Sequence, residues 1–533
     1  MAASQPFGIS CKGGLNTNLN QLEMLGQPGF ATELLNFEVD PDGGYRRING
    51  YSAFGNNRPN SNTPVLGLAV YADGLIACTG TDIFFTLEGT TWIQINKASV
   101  AGGGDNFSTF NGRSTLTRTN QKQCSIEIFE GNEEYGQVLV CDSQNKPFLF
   151  KMTGSGALSG RTYFAEEVTV SGTTAPSFGV IHDKHFVTAG SPTAKNTIYY
   201  SATLDPSSFS GTGSGNIAID DQVVGLKSFR TDLIVFCKNS IYKLININDS
   251  QNIAVVPIAK NVGCLSHHSI QEIGGDLVFL SPDGIRSIAA TARIGDVELG
   301  SVSRQIHSVT STIAKDIDDF VITSCVLRRR SQYRLYYSTV GGPIENAKGI
   351  IGTLTQNGFE WAETKGIQCS SIVSDFSSAG VEKLHHGDKN GFIYNHDSGN
   401  FFTSEASAFN IEAKYTTPFL DFGDVGTRKT MKYLKLSVSP EGVLAPTLRT
   451  QYDFVDVDVS QPADIVLLGI PLPPIFGTAV FGSAIFEGTN DPMARQVLEG
   501  SGHTVSFQIR TEDQNPPYSI NGLYINYVPS GRR

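Results

Sequence analysis

The residues best suited to chemistry in this chain are histidines that occur in pairs. His267 is followed directly by His268, and His385 by His386. Imidazole nitrogens are common ligands of zinc, copper and iron. Neighbouring residues of a strand point to opposite faces, so neither pair could readily chelate one ion from a regular strand. The two pairs therefore do not predict a metal site.

Three further patterns are typical of sites but have simpler interpretations. Residues 211–215 read Gly-Thr-Gly-Ser-Gly, without the Lys-Ser/Thr of a phosphate-binding loop or the helix that must follow it. His396 and Asp397 are typical of a turn, where the aspartate caps the backbone. A cation site or an exposed acidic loop would account for Asp453, Asp456 and Asp458. We expect no catalytic residue, no cofactor and no metal.

Two arginine clusters could contact DNA or an acidic partner. Residues 328–330 are all arginine and lie between two predicted strands, where a solvated hairpin turn is the default interpretation. Arg46 and Arg47 could contact phosphate, or could end a strand that is exposed or paired with a partner. We take Arg46 and Arg47 as candidate contacts between subunits.

The elements that must position these residues are β-hairpins. Residues 232–244 and residues 276–288 each contain an apolar run, a turn of Asn-Ser or Asp-Gly, and an alternating strand. This order is typical of a hairpin, because the turn residues tolerate positive φ. The two copies start 44 residues apart, as expected for propeller blades of about 40–50 residues. Counting similar units predicts about seven blades.

The length and composition predict an all-β protein of several domains. The 533 residues exceed the roughly 250–300 that one core usually serves. We predict an N-terminal extended assembly segment at residues 1–60, a β-propeller at 61–400, and a C-terminal antiparallel β-sandwich-like assembly domain at 401–533. We also expect the propeller to fold without residues 1–55.

Charge and cysteine usage exclude some classes of function. The net charge is −11 and no basic run exceeds three residues, which argues against a generic phosphate-binding surface. An acidic conduit that nucleic acid passes through is not excluded by this charge. The chain has no apolar run of about 20 residues, so we expect no membrane span. Its eight cysteines lack CxxC spacing, which indicates buried free thiols made in a reducing cytoplasm.

One apolar segment has the composition of a contact loop. Residues 467–490 are rich in proline, glycine and large apolar side chains, and they lie between alternating strands. Apolar side chains without a strand pattern indicate a surface that touches a neighbouring molecule. The candidate inter-subunit contacts in this loop are Ile475, Phe476, Phe481, Ile485 and Phe486.

Several stretches resemble the nozzle or hub proteins in the tails of short-tailed phages. The opening stretches resemble the start of those proteins and lie at residues 13–16, 35–40 and 43–51. Their propeller strands are similar to residues 199–206, 262–264 and 280–285. Their junction into a C-terminal β-domain is similar to residues 387–399, 415–418 and 428–430.

The resemblance implies a virion structural protein of the phage tail, made in the host cytoplasm and without enzymatic activity. Such proteins form a homo-oligomeric ring, a hexamer in nozzles, around the DNA-ejection channel. Their partners are further copies, a tail adaptor ring and sometimes tail fibres, and duplex DNA passes through without specific binding. The alternatives are a tail adaptor or fibre-docking protein, and a propeller-fold glycan-binding protein or glycosidase. The chain has no Asp-box repeat (Ser-x-Asp-x-Gly-x-Thr-Trp) of the kind found in some propeller glycosidases.

Overall fold

The computed structural model is almost entirely β. It describes residues 4–41, 43–55, 58–60, 62–95, 106–111, 123–131, 133–173, 175–249, 251–289, 301–404, 407–468 and 493–532. Within these ranges the α-helices are α1 (Gln21–Met24) and α2 (His307–Lys315). Short 3₁₀ helices lie at Leu158–Gly160, His267–Ser269, Arg304–Ile306, Ile317–Asp319, Arg328–Arg330, Ile344–Asn346 and Asp453–Val455. The predicted all-β class is confirmed.

Short strands precede the propeller, and two four-stranded blades follow them. The N-terminal strands are β1 (Gln5–Ser10), β2 (Glu33–Leu35), β3 (Phe37–Val39), β4 (Tyr45–Arg47) and β5 (Tyr51–Ala53). The first blade contains β6 (Val65–Tyr71), β7 (Gly74–Thr79), β8 (Asp82–Thr86) and β9 (Ile93–Gln94). A parallel strand, β10 (Asn106–Asn111), joins the second blade, which contains β11 (Ser125–Phe129), β12 (Gln137–Cys141), β13 (Phe148–Thr153) and β14 (Thr162–Glu167).

Two more four-stranded blades and a three-stranded sheet come next. The third blade contains β15 (Phe178–His182), β16 (His185–Ala189), β17 (Thr197–Tyr200) and β18 (Gly215–Ala218). The fourth contains β19 (Val223–Phe229), β20 (Asp232–Cys237), β21 (Ser240–Ile245) and β22 (Ala254–Lys260). The three-stranded sheet contains β23 (Gln271–Ile273), β24 (Asp276–Ser281) and β25 (Gly284–Ser287). The two hairpins that the repeat predicts are therefore β20–β21 and β24–β25.

The fifth and sixth blades complete the ring. The fifth contains β26 (Phe320–Leu327), β27 (Gln332–Thr339), β28 (Lys348–Thr355) and β29 (Gly358–Lys365). The sixth contains β30 (Ser371–Phe376), β31 (Glu382–Gly387), β32 (Ile393–His396) and the N-terminal β5. The described residues thus form six four-stranded blades and one three-stranded sheet, close to the predicted seven.

The propeller is held together by apolar faces on both sides of its strands. All six residues of β7 are buried, because a blade packs against its neighbour on each face. Between the first two blades, Ile76 and Phe85 pack with Val138 and Phe150 in one cluster. The first strands of the sheets contact one another around the axis, β30 next to β6 and β6 next to β11.

The C-terminal domain consists of two sheets packed face to face. Two short strands, β33 (Phe402–Ser404) and β34 (Ser407–Phe409), first extend the sheet of the sixth blade beyond β5. The strands of the domain itself are β35 (Ile411–Thr416), β36 (Thr427–Pro440), β37 (Thr447–Tyr452), β38 (Ile465–Val466), β39 (Met493–Val497), β40 (Ser501–Gly502), β41 (Val505–Asp513) and β42 (Tyr518–Arg532). Alternate residues of β36, including Leu434 and Leu436, are buried against Leu448 and Phe507 of the other sheet. The period-two pattern that predicts a sandwich-like domain is therefore confirmed.

The N-terminal strands join these parts into one unit. β1, β3 and β4 belong to the sheet of β36 and β42. β2 pairs with β29 on one side and with β35 on the other, so the fifth blade and a C-terminal sheet form one nine-stranded sheet. β5 pairs with β32 and closes the sixth blade. The folding of the propeller without residues 1–55 stays a prediction, and β2 and β5 argue against it because they pair with strands of the fifth and sixth blades.

Candidate functional site

A small polar cavity lies on the propeller axis, where the first strands of several sheets meet. Its volume is about 150 Å³. The cavity is lined by Leu68 of β6, Ser125 and Glu127 of β11, Lys227 of β19, Gln271 of β23, Thr323 and Ser324 of β26, and Ser371 and Ile372 of β30. Residues far apart in the sequence converge here because each first strand runs along the axis.

Glu127 and Lys227 place opposite charges in this cavity. Burial raises the pKa of the Glu127 carboxyl, and the Lys227 ammonium partly offsets that effect. No ion pair or hydrogen bond joins Glu127 to Lys227 in the structure, although their charges interact. Lys227 does not pair with another acid among the described residues either. The cavity therefore holds two charges that have no direct partner in the described part of the chain.

His267 and His268 also line the cavity, from a 3₁₀ helix rather than from a strand. The interpretation of this pair as consecutive strand residues is therefore wrong. Burial lowers the pKa of His267 far below its usual value and that of His268 to about 4. Both rings are neutral at pH 7, and His267 Nε2 lies 3.5 Å from the Ser125 hydroxyl. They can donate or accept hydrogen bonds there, but they carry no charge.

The second pair behaves differently, because His385 and His386 do lie on a strand, β31. His386 Nδ1 lies 3.1 Å from His396 Nδ1, and His396 Nε2 lies 2.8 Å from the Tyr336 hydroxyl. Burial lowers the pKa of both His386 and His396 well below the usual range. Among the described residues, no group of three or more histidine, cysteine or acidic side chains is arranged to bind a metal.

A buried ionic network joins the N-terminal segment to the fifth and sixth blades. Glu38 of β3 is only 2% exposed. Its Oε1 accepts hydrogen bonds from Arg46 (3.0 Å) and Arg330 (2.5 Å). Its Oε2 accepts from Arg334 (2.9 Å) and Gln332 (3.1 Å). A carboxylate can be buried at this position because several charge-assisted hydrogen bonds satisfy it.

Asp397 supplies the second carboxylate of the network. Its Oδ2 lies 2.7 Å from Arg329 Nη2 and 3.3 Å from Arg330 Nη2. Burial alone would lower the pKa of Arg334, but Asp397 and Glu38 outweigh that effect and raise it. The cluster at residues 328–330 is thus not simply a solvated turn, because two of its arginines pair with acids of the same chain.

The structure places Arg46 and Arg47 in contacts within the chain. Arg46 bridges Glu38 and Glu441. Arg47 is 1% exposed and donates to the backbone oxygens of Asn515 (2.6 Å) and others. A contact with another subunit through either residue stays a prediction. The five predicted contacts Ile475, Phe476, Phe481, Ile485 and Phe486 lie outside the described residues.

The remaining motifs have structural roles. Residues 211–215 lead into β18 and not into a helix, so they do not form a phosphate-binding loop. The Asp453 carboxylate accepts from the backbone N–H groups of His503 (2.7 Å) and Thr504 (2.9 Å). Asp456 accepts from the backbone N–H of Asp458 at 2.9 Å. The acidic loop is thus held by hydrogen bonds to its own backbone and to the strand beside it.

Sequence reasoning missed Glu38, Asp397, Arg334, Glu127 and Lys227 as members of these two sites. One signal was present, because Glu38 stands between Phe37 and Val39 in a strand whose three residues are all buried. A charge inside an apolar strand needs a partner. Arg46 lies eight residues later, but the other three partners, Arg330, Gln332 and Arg334, lie almost 300 residues later in the chain, and no local pattern identifies them.

Among the residues that the structure describes, no helix is both long and apolar enough to cross a membrane. All eight cysteines are buried thiols.

Comparisons with known proteins do not assign this chain to a family. No protein-family model and no curated protein matches the chain. One similar solved structure is the CNH domain of AfRom2, with a TM-score of 0.36 and 11% identity over 66% of this chain and all of that one. The N-terminal domain of Nup159 has a TM-score of 0.29 and 11% identity, over 57% of this chain and 86% of its own.

An exo-β-1,3-galactanase from Phanerochaete chrysosporium, solved with galactose, has a TM-score of 0.27 and 8% identity. That match covers 90% of this chain and all of the galactanase chain. At such scores and identities, none of these likenesses carries an argument about what this protein does.

Proposed function

We propose that this protein is a structural component of a phage tail, in which identical subunits form a ring around the DNA-ejection channel. The sequence resemblance to nozzle and hub proteins supports this proposal. The observation that carries it is a set of exposed apolar side chains on the C-terminal domain, in a protein whose three parts are joined by shared sheets.

The clearest of these apolar groups stand on a left-handed turn. Asp453, Phe454 and Val455 have φ angles of 48°, 56° and 61°. Such a backbone costs a residue other than glycine roughly 1–2 kcal/mol, and more for a β-branched one. Phe454 and Val455 of this turn are nevertheless 36% and 46% exposed, and Val457, two residues after the turn, is 96% exposed. Backbone strain that presents apolar groups to solvent is typical of a contact surface.

Exposed apolar side chains also flank the loop that carries the predicted contacts. Val466 and Leu468 precede residues 469–492, and Met493 and Val497 follow them. Both ends of that segment therefore present apolar surface. We take a second copy of this chain as the partner, because the resemblance is to proteins that assemble with themselves.

The DNA conduit in this proposal lies between subunits and not along the propeller axis. The axial cavity of about 150 Å³ is smaller than the pockets of about 300–1,000 Å³ that hold drug-sized ligands. A duplex could not pass through it. A glycosidase site on the axis also lacks support, because such sites use two carboxylates and Glu127 is the only one among the described residues lining the cavity.

The ring can be tested by measuring the mass of the purified protein by native mass spectrometry. Val457→Asp places a charge in the proposed contact without touching the core, and it should convert rings to monomers. Val381→Asp is the matched control, because Val381 is 61% exposed on the propeller; it should leave the ring intact. Rings that persist in the Val457 variant, or a wild-type monomer at all concentrations, would refute the proposed interface.

A second measurement tests the conduit. The chain has 51 acidic and 40 basic side chains, and each phosphate contact would add salt-dependent affinity. We therefore expect no tight binding of the purified protein to duplex DNA at low salt. Tight binding that weakens with salt would contradict a conduit that lets DNA pass freely.

A further inference from the structure

The axial cavity contains an electrostatic arrangement that the fold itself does not require. Glu127 and Lys227 both line it, from the second and fourth blades, and neither forms an ion pair with any residue that the structure describes. Their charges interact across the cavity. Both residues are partly exposed, and neither has a buried polar atom without a partner. The two opposite charges are therefore open to a molecule that enters the cavity.

The neutral groups around these charges can recognise a polar molecule. His267 and His268 are uncharged at pH 7 because burial lowers their pKa values. The Nδ1 of His267 is buried beside Gly225 and is not available to a ligand. The Nε2 of His267 lies 3.5 Å from the Ser125 hydroxyl, at the outer limit of hydrogen-bond distance. The cavity thus offers one cation, one anion and the neutral polar groups of Ser125, Gln271 and Thr323.

The charge pattern selects among ligand classes. A lone anion would pair with Lys227 and leave Glu127 facing it, whereas a lone cation would do the reverse. A ligand that leaves one charge unpaired, or places it against a like charge, binds more weakly than a ligand that pairs with both. A molecule with one ammonium and one carboxylate would pair with both side chains at once. Such a molecule has no net charge. The pair of Glu127 and Lys227 also has no net charge when Glu127 is ionised, so the net charges of ligand and site match.

The size of the cavity limits the ligand further. At about 150 Å³ it holds about half the volume of the smallest usual drug-sized pocket. A molecule of a few heavy atoms fits, and a peptide or an oligosaccharide does not. We propose that the propeller axis binds a small zwitterion, such as a short-chain free amino acid, with its ammonium toward Glu127 and its carboxylate toward Lys227.

This binding site is independent of ring formation, so its test uses the full-length protein in whatever assembly state it adopts. Isothermal titration calorimetry with glycine, alanine and serine, each up to 10 mM, should show binding of at least one of them at one site per chain. Acetate and methylammonium carry one charge each and serve as ligand controls. They should bind at least tenfold more weakly than the zwitterion.

Variants locate the site. Glu127→Gln and Lys227→Met should each weaken binding of the zwitterion at least tenfold, because each removes one charge partner. The matched controls are Glu272→Gln, an exposed acid on β23, and Lys243→Met on β21 of the same blade as Lys227. Both controls should bind as the wild type does, and circular dichroism checks that all four variants fold.

Three results would overturn the proposal. They are the absence of binding by all three amino acids at 10 mM, equal binding of acetate or methylammonium, and equal loss of binding in the control variants. The ring could still form in each of these cases. Conversely, if the protein is monomeric and binds glycine through Glu127, the proposal of this site holds and the proposal of the ring fails.

Discussion

Glu38 shows how a single side chain joins distant parts of this chain. Its carboxylate accepts four hydrogen bonds, three from arginines and one from Gln332. Two of the arginines, Arg330 and Arg334, belong to the fifth blade, whereas Glu38 belongs to an N-terminal strand in a C-terminal sheet. Removing one partner from such a buried pair leaves the other charge unsatisfied. The network therefore makes the relative position of three parts of the molecule depend on one residue.

Glu38→Gln should lower the free energy of unfolding by about 3–5 kcal/mol, because it leaves Arg334 buried beside a neutral amide. Chemical denaturation followed by tryptophan fluorescence measures this change. The control is Glu441→Gln, which removes the more exposed carboxylate bound to the same Arg46 and should cost about 0–1 kcal/mol. Equal losses in the two variants would mean that burial does not decide the energy of this network.

At the scale of elements, β5 is a three-residue strand with a large structural role. It pairs with β32 and lies beside β33, and it completes the sixth blade just before the chain enters the first. Tyr51 is 2% exposed, and its ring packs against His386, Tyr394 and Phe402. Because β5 precedes the first blade in the chain but pairs within the sixth, it ties these two blades together and resists opening of the ring between them.

Tyr51→Ala should destabilise the protein by about 3–5 kcal/mol, as large-to-small changes at buried aromatic residues do. It should also increase proteolysis at the seam between the first and sixth blades, which limited trypsin digestion with mass spectrometry can detect. Ser52→Ala, on the same strand, is the control and should change stability by less than about 1 kcal/mol. Deletion of residues 1–55 should abolish cooperative unfolding, and a stable truncated propeller would contradict the role of β5.

At the scale of the whole molecule, buried histidines couple stability to pH. Burial lowers the pKa of His385 to about 4 and those of His386 and His396 well below their usual value. The unfolded chain, in which histidine has a pKa near 6.5, therefore binds more protons than the folded one at acidic pH. The stabilisation from neutral histidines is complete above pH 6.5 and is lost as pH falls toward the folded pKa values.

We expect the free energy of unfolding to decrease from pH 6.5 to pH 5, by up to about 1.4 kcal/mol per pH unit for each buried histidine. Denaturation at several pH values measures the slope. His385→Gln removes one such group and should reduce the slope by up to that amount. His307→Gln changes an exposed residue of α2 and should leave the slope as it is. A slope unaffected by the His385 variant would show that His385 does not couple to folding.

Local sequence patterns were enough to predict the strands, the hairpins and the propeller class. Turn residues such as Asp283 and Gly284 and the alternation in β36 act over a few neighbours, so they can be read in the sequence. The same local reading identified the arginines at residues 328–330 as part of a turn. It did not identify their acidic partners.

Only the tertiary structure decided which residues meet across long separations. Leu35 pairs with Glu363, and Arg330 contacts Glu38 over 292 positions of the chain. Glu127 and Lys227 reach one cavity only because separate blades are arranged around one axis. Strand alternation says which face of a strand is buried, but it does not say which strand lies opposite. That choice depends on the combined packing of all blades, so the axial cavity and the Glu38 network could not be predicted from the sequence.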